Sequence, residues 1–261
     1  MKILITGASS GLGYAIGKRL SGRGHLVYFT THTEKELVTL KEKLKNDNVD
    51  ALCFKMDITT DDIKLVDKIN IDCLINHAGI GIGGSILYMN IDCLRENYEV
   101  NIFSSFNLLK RVYKNMVNNN IKGKIFVTSS LASMIPISFL GCYTSSKAAI
   151  SMLTMTIKKE LKYLNSDISI SLIEPGAYST GFNQVMIDNK NKYLEHDNLI
   201  YKYRNVINKK QRNMFRFVEN DNYDSLVNKV VREIERKKSK FKIRAPFFQR
   251  LFTKIYNIFI R

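Results

Sequence analysis

Short apolar, β-rich runs at 2–5, 26–29, 51–54, 73–75, 124–128 and 168–173 alternate with segments whose apolar residues recur at helical spacing. Leu37, Leu40 and Leu44 make one such face, and Leu109, Val112 and Met116 another. This alternation constrains the fold more than any other feature of the chain. A helix between two strands carries the backbone to the starting edge, so the strands run parallel and the crossovers cover the sheet. The expected fold is α/β: a doubly wound, Rossmann-type, mainly parallel sheet with helices on both faces. Beyond Thr180 the alternation becomes ragged. Residues 183–225 are expected to form a substrate lid, 241–246 a last strand, and 247–261 a basic helical tail. No Pro/Gly/Ser-rich linker interrupts the 261 residues, which predicts one domain over 1–246 followed by that tail.

No run of 18 apolar residues exists, so no membrane-spanning helix is expected, and the first residues read as a strand rather than a signal peptide. The cysteines, Cys53, Cys73, Cys93 and Cys142, lack CxxC or metal-ligand spacing, which predicts reduced thiols in a cytoplasmic protein and no metal site. The net charge of +16 is uneven. Residues 201–261 hold 17 basic against 5 acidic residues, whereas 1–200 hold 23 against 19. The tail therefore points to an anionic partner or surface, or to solubility alone, and the body does not. On a helical wheel Phe247, Phe248, Leu251, Phe252, Ile255, Ile258 and Phe259 form an apolar arc opposite Gln249, Arg250, Thr253, Lys254, Asn257 and Arg261. Such a helix lies at a membrane surface, or packs on its own domain or a partner subunit; periodicity does not separate these. Nucleic acid is not an expected partner, because Lys and Arg are interleaved with apolar residues instead of grouped with stacking aromatics.

The first strand runs into Thr6-Gly7-Ala8-Ser9-Ser10-Gly11-Leu12-Gly13, with a helix expected from Tyr14. Glycines let the backbone approach a pyrophosphate closely, and a helix N-terminus offers it free N–H groups. A glycine-rich turn can also be a plain connection; its place between a first strand and a helix favours the dinucleotide. Farther on, Tyr143 and Lys147 stand four apart, on one face of a helix. A free phenol, with a pKa near ~10, is a poor acid/base group at neutral pH. A cation ~4 Å away at an effective dielectric of ~20 is worth roughly 4 kcal/mol, so Lys147 is expected to lower the Tyr143 pKa.

Together these motifs resemble the short-chain dehydrogenase/reductase family over about residues 1–182. The spacing Thr-Gly-x-x-x-Gly-x-Gly at 6–13 is similar to that family's cofactor turn, which brings in Gly7, Ser9, Ser10, Gly11, Leu12 and Gly13. Asp57 and Ile58 resemble its adenine-side segment. Asn76, Ala78 and Gly79 resemble its Asn-Asn-Ala-Gly stretch, with His77 replacing the second Asn in a structural rather than catalytic role. Pro175, Gly176, Tyr178 and Thr180 resemble the segment that closes over nicotinamide. The resemblance implies a catalytic tetrad. Tyr143 exchanges the proton, Lys147 tunes it and holds the ribose, Ser130 orients the substrate, and Asn101 supports a water relay. Thr31 and His32 occupy the coenzyme-discriminating positions, where no acid stands, so NADP(H) is favoured and NAD(H) allowed. The implied activity is hydride transfer between nicotinamide and a small-molecule carbonyl or secondary alcohol, in a homodimer or homotetramer. Leu131, Ile135, Phe139, Tyr178, Phe182 and Met186 are the candidate substrate-lining residues and suit an apolar or amphipathic substrate. The alternative is a non-catalytic dinucleotide sensor, or a membrane-surface interaction protein on the same fold. The complete tetrad argues against the sensor, and the usual Val-Asp-Gly-Gly-like ending is missing.

Overall fold

Each expected strand is present within one or two residues of its predicted bounds. The computed structural model describes residues 1–192 and 199–260. In chain order the elements are β1 (Lys2–Ile5), α1 (Gly11–Ser21), β2 (Leu26–Thr31), α2 (Glu34–Asn46), β3 (Leu52–Lys55) and β4 (Cys73–Asn76). There follow α3 (Ile91–Tyr98), α4 (Ser105–Asn118), β5 (Lys124–Thr128), α5 (Gly141–Tyr163) and β6 (Ser169–Glu174). The last part holds α6 (Phe182–Lys192), α7 (Leu199–Val218), α8 (Asp224–Glu235), β7 (Lys242–Arg244) and α9 (Phe247–Ile260). The seven strands form one sheet in the order β3-β2-β1-β4-β5-β6-β7, and every pairing is parallel.

Strand alternation sorts side chains between the two helical layers. Ile3 and Ile5 of β1, Val27 and Phe29 of β2, and Phe126 of β5 join one core with α1 and the Leu226–Val227–Val230–Val231–Ile234 face of α8. Leu4, Leu74, Ile125, Val127 and Leu172 point the other way, onto α4 and α5. Gly17 lets α1 lie close to the sheet, since a Cβ there would stand 2.3 Å from the Phe29 ring.

The first helix starts at Gly11, three residues before the expected Tyr14. Gly11, at φ +55°, makes the turn itself, so Leu12 and Gly13 already belong to the helix. Segment 183–225 supplies most of α6, all of α7 and the start of α8.

The tail is helical as expected, but its orientation could not be read from the wheel. Thr253, from the polar stripe, is buried, and Gln249 donates to the Ala177 carbonyl at 2.9 Å. Phe247, Phe248, Leu251 and Ile255 of the apolar arc are exposed. Of the two predicted faces, Phe252, Lys254, Ile258, Phe259 and Arg261 lie outside the described side chains. No described helix is long and apolar enough to cross a membrane.

Candidate active site

The strand order reverses between β1 and β4, and the C-terminal strand ends there open onto one crevice, the position where such sheets receive ligands. A cavity of about 830 Å³ fills it, within the usual range for small-molecule sites. Its floor is the turn after β1. Gly7 sits at φ +62°, and a Cβ there would lie 2.8 Å from the Ala78 backbone, so only glycine allows this approach of the two loops. Ser10 occupies the N-cap of α1 without using its side chain to cap, which leaves the first amides of that helix available to an anion. This cradle fits a dinucleotide pyrophosphate.

At the adenosine end His32, Glu36 and Asp57 line the cavity together. The Thr33–Glu36 capping box folds the Glu36 carboxylate back onto the His32 and Thr33 amides, at 2.9 and 3.4 Å. His32 Nε2 lies 3.2 Å from Asp57, whose carboxylate also accepts from the Thr59 amide and hydroxyl. Those Thr59 bonds and the nearby imidazole outweigh burial and hold the Asp57 carboxyl below its usual range. Glu36 was missed in the sequence, where the Thr-x-x-Glu pattern was its signal.

At the opposite end, α5 carries Tyr143 and Lys147 into the crevice. The two side chains share a face, with Lys147 Nζ 5.7 Å from the centre of the Tyr143 ring and 3.2 Å from the Thr128 carbonyl, to which it donates. Ser130, extended and two residues beyond β5, hydrogen-bonds the Tyr143 phenol. Neighbouring Ser129 is structural: its hydroxyl donates to the Lys147 carbonyl at 2.9 Å.

The expected lowering of the Tyr143 pKa is not found. Burial raises the phenol to about 12, against a smaller opposite effect of the Ser130 hydroxyl. The same burial pulls Lys147 down to about 8. Desolvation sets the direction of both shifts, with the ammonium 5.7 Å from the centre of the ring. His77, half-buried beside Lys147 with Nδ1 3.2 Å from the Thr128 hydroxyl, is pulled down to about 4 by desolvation and is neutral near pH 7.

Asn101 lies on a π-helical turn over Glu99–Ser104 that joins α3 to α4. The wide turn aims its amide at the loop after β4, where Oδ1 accepts from Ile80 N and Nδ2 donates to Ile80 O, both at 2.9 Å. Asn101 therefore sits behind the cavity wall, close to Gly79 and Lys147, and not in the lining.

Three further predicted contacts also stand outside the lining. Asn76 is buried and donates to Ser105, Gly13 packs against His77, and Thr31 turns its hydroxyl to the Thr33 carbonyl. Phe139 is likewise outside; it occupies a left-handed turn at φ +64° and gives its carbonyl to Gly84 N. All other predicted cofactor and substrate residues line the cavity.

The substrate half is apolar. Phe182 packs 5.6 Å from the Tyr143 ring, and Met186 and Phe215 close the space from α6 and α7. Phe248, Gln249 and Thr253 of α9 complete the wall. No sequence signal marked Gln249. Its amide lies so close over Gly176 that a Cβ there would meet Oε1 at 2.1 Å, and that oxygen is buried without a partner. The Tyr178 hydroxyl is also buried and unpaired beside the cavity. Two orphaned polar atoms at a cavity wall are what a polar ligand there would satisfy.

A family model described as "short chain dehydrogenase" matches residues 1–191. A 3-ketodihydrosphingosine reductase of Bacteroides thetaiotaomicron is 31% identical over 189 residues, which is 72% of this chain and 66% of that protein. An NADPH-dependent 3-dehydrocapnine reductase of Ornithobacterium rhinotracheale is 30% identical over 187 residues, 68% of this chain and 65% of its own length. The matches thus span slightly under two thirds of those relatives. A crystal structure of a short chain dehydrogenase/reductase from Burkholderia phymatum in complex with NAD superposes with a TM-score of 0.81. It covers 99% of this chain and 93% of its own at 20% identity, a likeness of fold.

Proposed function

The chain belongs to the short-chain dehydrogenase/reductase family, and from that premise we propose that it reduces the carbonyl of an apolar or amphipathic ketone with a nicotinamide dinucleotide. The observation that carries this is the convergence of Tyr143, Ser130 and Lys147 on an apolar chamber continuous with the glycine turn. When bound, the dinucleotide supplies the hydride. Ser130 holds the substrate oxygen by donating to it, and Tyr143 gives that oxygen its proton. A phenol raised to about 12 is protonated near neutral pH, and so already in the form reduction needs. Lys147 supplies positive charge to the phenolate that develops. Asn101 acts through the Ile80 loop that it pins. The two relatives, named as reductases of a 3-keto and a 3-dehydro compound, favour the same direction. Dinucleotide-dependent turnover of a panel of aldehydes, ketones and 3-oxoacyl thioesters tests the reading. Activity confined to small polar aldehydes, or absent from the whole panel, would overturn it.

We infer NADP(H) in preference to NAD(H), because positions 31 and 32 carry no acid and His32 stands exposed in the cavity. Glu36 limits this preference, since an added phosphate would face its carboxylate. Glu36→Gln is therefore expected to tighten NADPH binding at least ~3-fold and leave NADH within ~2-fold, read as dissociation constants. Equal effects on both coenzymes would remove Glu36 from the discrimination.

The protein is read as a cytoplasmic homodimer or homotetramer. Cys53, Cys73, Cys93 and Cys142 stand as thiols rather than disulfides, and Phe103 and Met152 present apolar surface on adjoining segments. Its other partner is the small-molecule substrate, and nucleic acid is not a partner.

A further inference from the structure

Among its described residues, the exposed side of α9 is apolar where a helix on its own domain would be polar. Phe247 is 61% exposed, Phe248 82%, Leu251 38% and Ile255 44%. The helix is seated by its polar edge instead, through Gln249 and Thr253. Beside it lies a cluster of cations. Arg250 reaches over the Phe247 ring at 5.9 Å, and its Nε is buried without a hydrogen-bond partner among the described residues. Lys229 and Arg232 of α8 are near enough that the Arg250 and Arg232 charges add to burial in lowering the Lys229 pKa. The acids of α8 are used elsewhere: Asp224 pairs with Arg19, Glu233 with Arg236 and Glu235 with Arg23.

We infer that α9 docks the protein on an anionic lipid surface, with Phe247, Phe248, Leu251 and Ile255 entering the headgroup boundary and Lys229, Arg232 and Arg250 against the phosphates. An apolar arc flanked by cations that form no salt bridge among the described residues suits that surface. A second copy of the chain suits it less, because a twofold contact through this face would bring the same cations towards one another. The docking also has a consequence for the site. Phe248 both lines the cavity and is largely exposed, so it stands at the mouth. A docked α9 places that mouth at the lipid, from which an amphipathic substrate can enter; this last step rests on the proposed carbonyl reduction.

The test is co-sedimentation of the full chain with phosphatidylcholine vesicles, with and without phosphatidylglycerol. Binding is expected only with the anionic lipid. It should weaken severalfold as salt rises, because the attraction is screened over ~8 Å at physiological ionic strength. Phe247→Glu/Ile255→Glu, at residues outside the cavity lining, is expected to lower partition at least ~10-fold, and Lys229→Glu at least ~5-fold. Both variants should keep their melting profile, oligomeric state and turnover of a water-soluble ketone. Docking is overturned if the full chain ignores anionic vesicles, or if Phe247→Glu/Ile255→Glu binds them as well as the parent. It is also overturned if that variant changes the oligomeric state, which would make the face a subunit interface. Loss of ketone turnover in the parent, with vesicle binding intact, would instead count against the proposed reaction.

Discussion

Tyr143→Phe is expected to lower turnover by at least ~10²-fold while the protein folds and binds its dinucleotide as before. The substitution removes one oxygen from a side chain packed among Leu140, Met186, Ile187 and Phe215, and a phenyl ring fills the same space. The hydroxyl of Ser130 loses one partner but keeps the Ala132 amide as a donor to its oxygen. The structural cost is therefore about 1 kcal/mol, the scale of one neutral hydrogen bond. The chemical cost is much larger, because Tyr143 is the phenol that Ser130 hydrogen-bonds and that Lys147 stands beside. Ser130 cannot replace Tyr143, since its own proton would need a destination. The phenol is raised to about 12 by burial, so it does not change protonation between about pH 6 and 9. The ratio of parent to variant turnover should accordingly be flat across that range. Steady-state rates at saturating dinucleotide, with the dinucleotide dissociation constant measured alongside, check this. A variant that keeps more than a tenth of parental turnover would assign the proton to another group, and so would a ratio that varies strongly with pH.

The fold was open to sequence reading because it rests on local periodicities. Two residues per repeat in the strands and 3.6 in the helices fix which side of the sheet each crossover covers, and Ile3, Leu4 and Ile5 divide between the layers as that rule requires. The glycine turn was legible for a related reason: only glycine tolerates the φ of +62° and the 2.8 Å approach at residue 7. Features that depend on a distant partner were not legible. Nothing in the tail announces that Gln249 will bond to Ala177, 72 residues away in sequence. A helical wheel finds two faces but not which one is seated, and on α9 the polar edge is seated. The π-helical turn that orients Asn101 has no compositional signature, so the residue could be picked out while its bond to Ile80 could not. Asn76 shows the limit of a motif. The pattern locates the strand end, but not that this side chain turns inward to Ser105. The sign of the Tyr143 shift failed for a further reason: spacing supplies the cation, whereas burial, which sets the direction here, belongs to the assembled site.

Lys147→Met is expected to abolish turnover and at the same time stabilise the fold, two effects that a merely structural lysine would not show together. Lys147 is 5% exposed, and burial lowers its pKa from 10.5 to about 8. A buried ammonium so shifted destabilises the folded chain by on the order of 3 kcal/mol at neutral pH. Methionine removes that cost and keeps most of the volume, although the Thr128 carbonyl loses its donor, which takes back about 1 kcal/mol. The net gain is about 2 kcal/mol, or a melting temperature higher by roughly 4–8 °C in a chain of this size. The pH dependence fixes the cause. Between about pH 8 and 10.5 the unfolded lysine holds a proton that the folded one has released, so the parent gains stability as pH rises through that window. The advantage of Lys147→Met should therefore be full below about pH 8 and fade towards pH 10.5. Thermal melts of both proteins across that range measure it. An advantage that persists unchanged above the window would mean that packing, not charge, separates the two. A destabilised variant would mean that the ammonium is held by more than the Thr128 carbonyl. Turnover should fall by at least ~10²-fold in either case, because among the described residues lining the chamber Lys147 is the cation beside the Tyr143 ring, placed to stabilise the phenolate that forms as Tyr143 releases its proton.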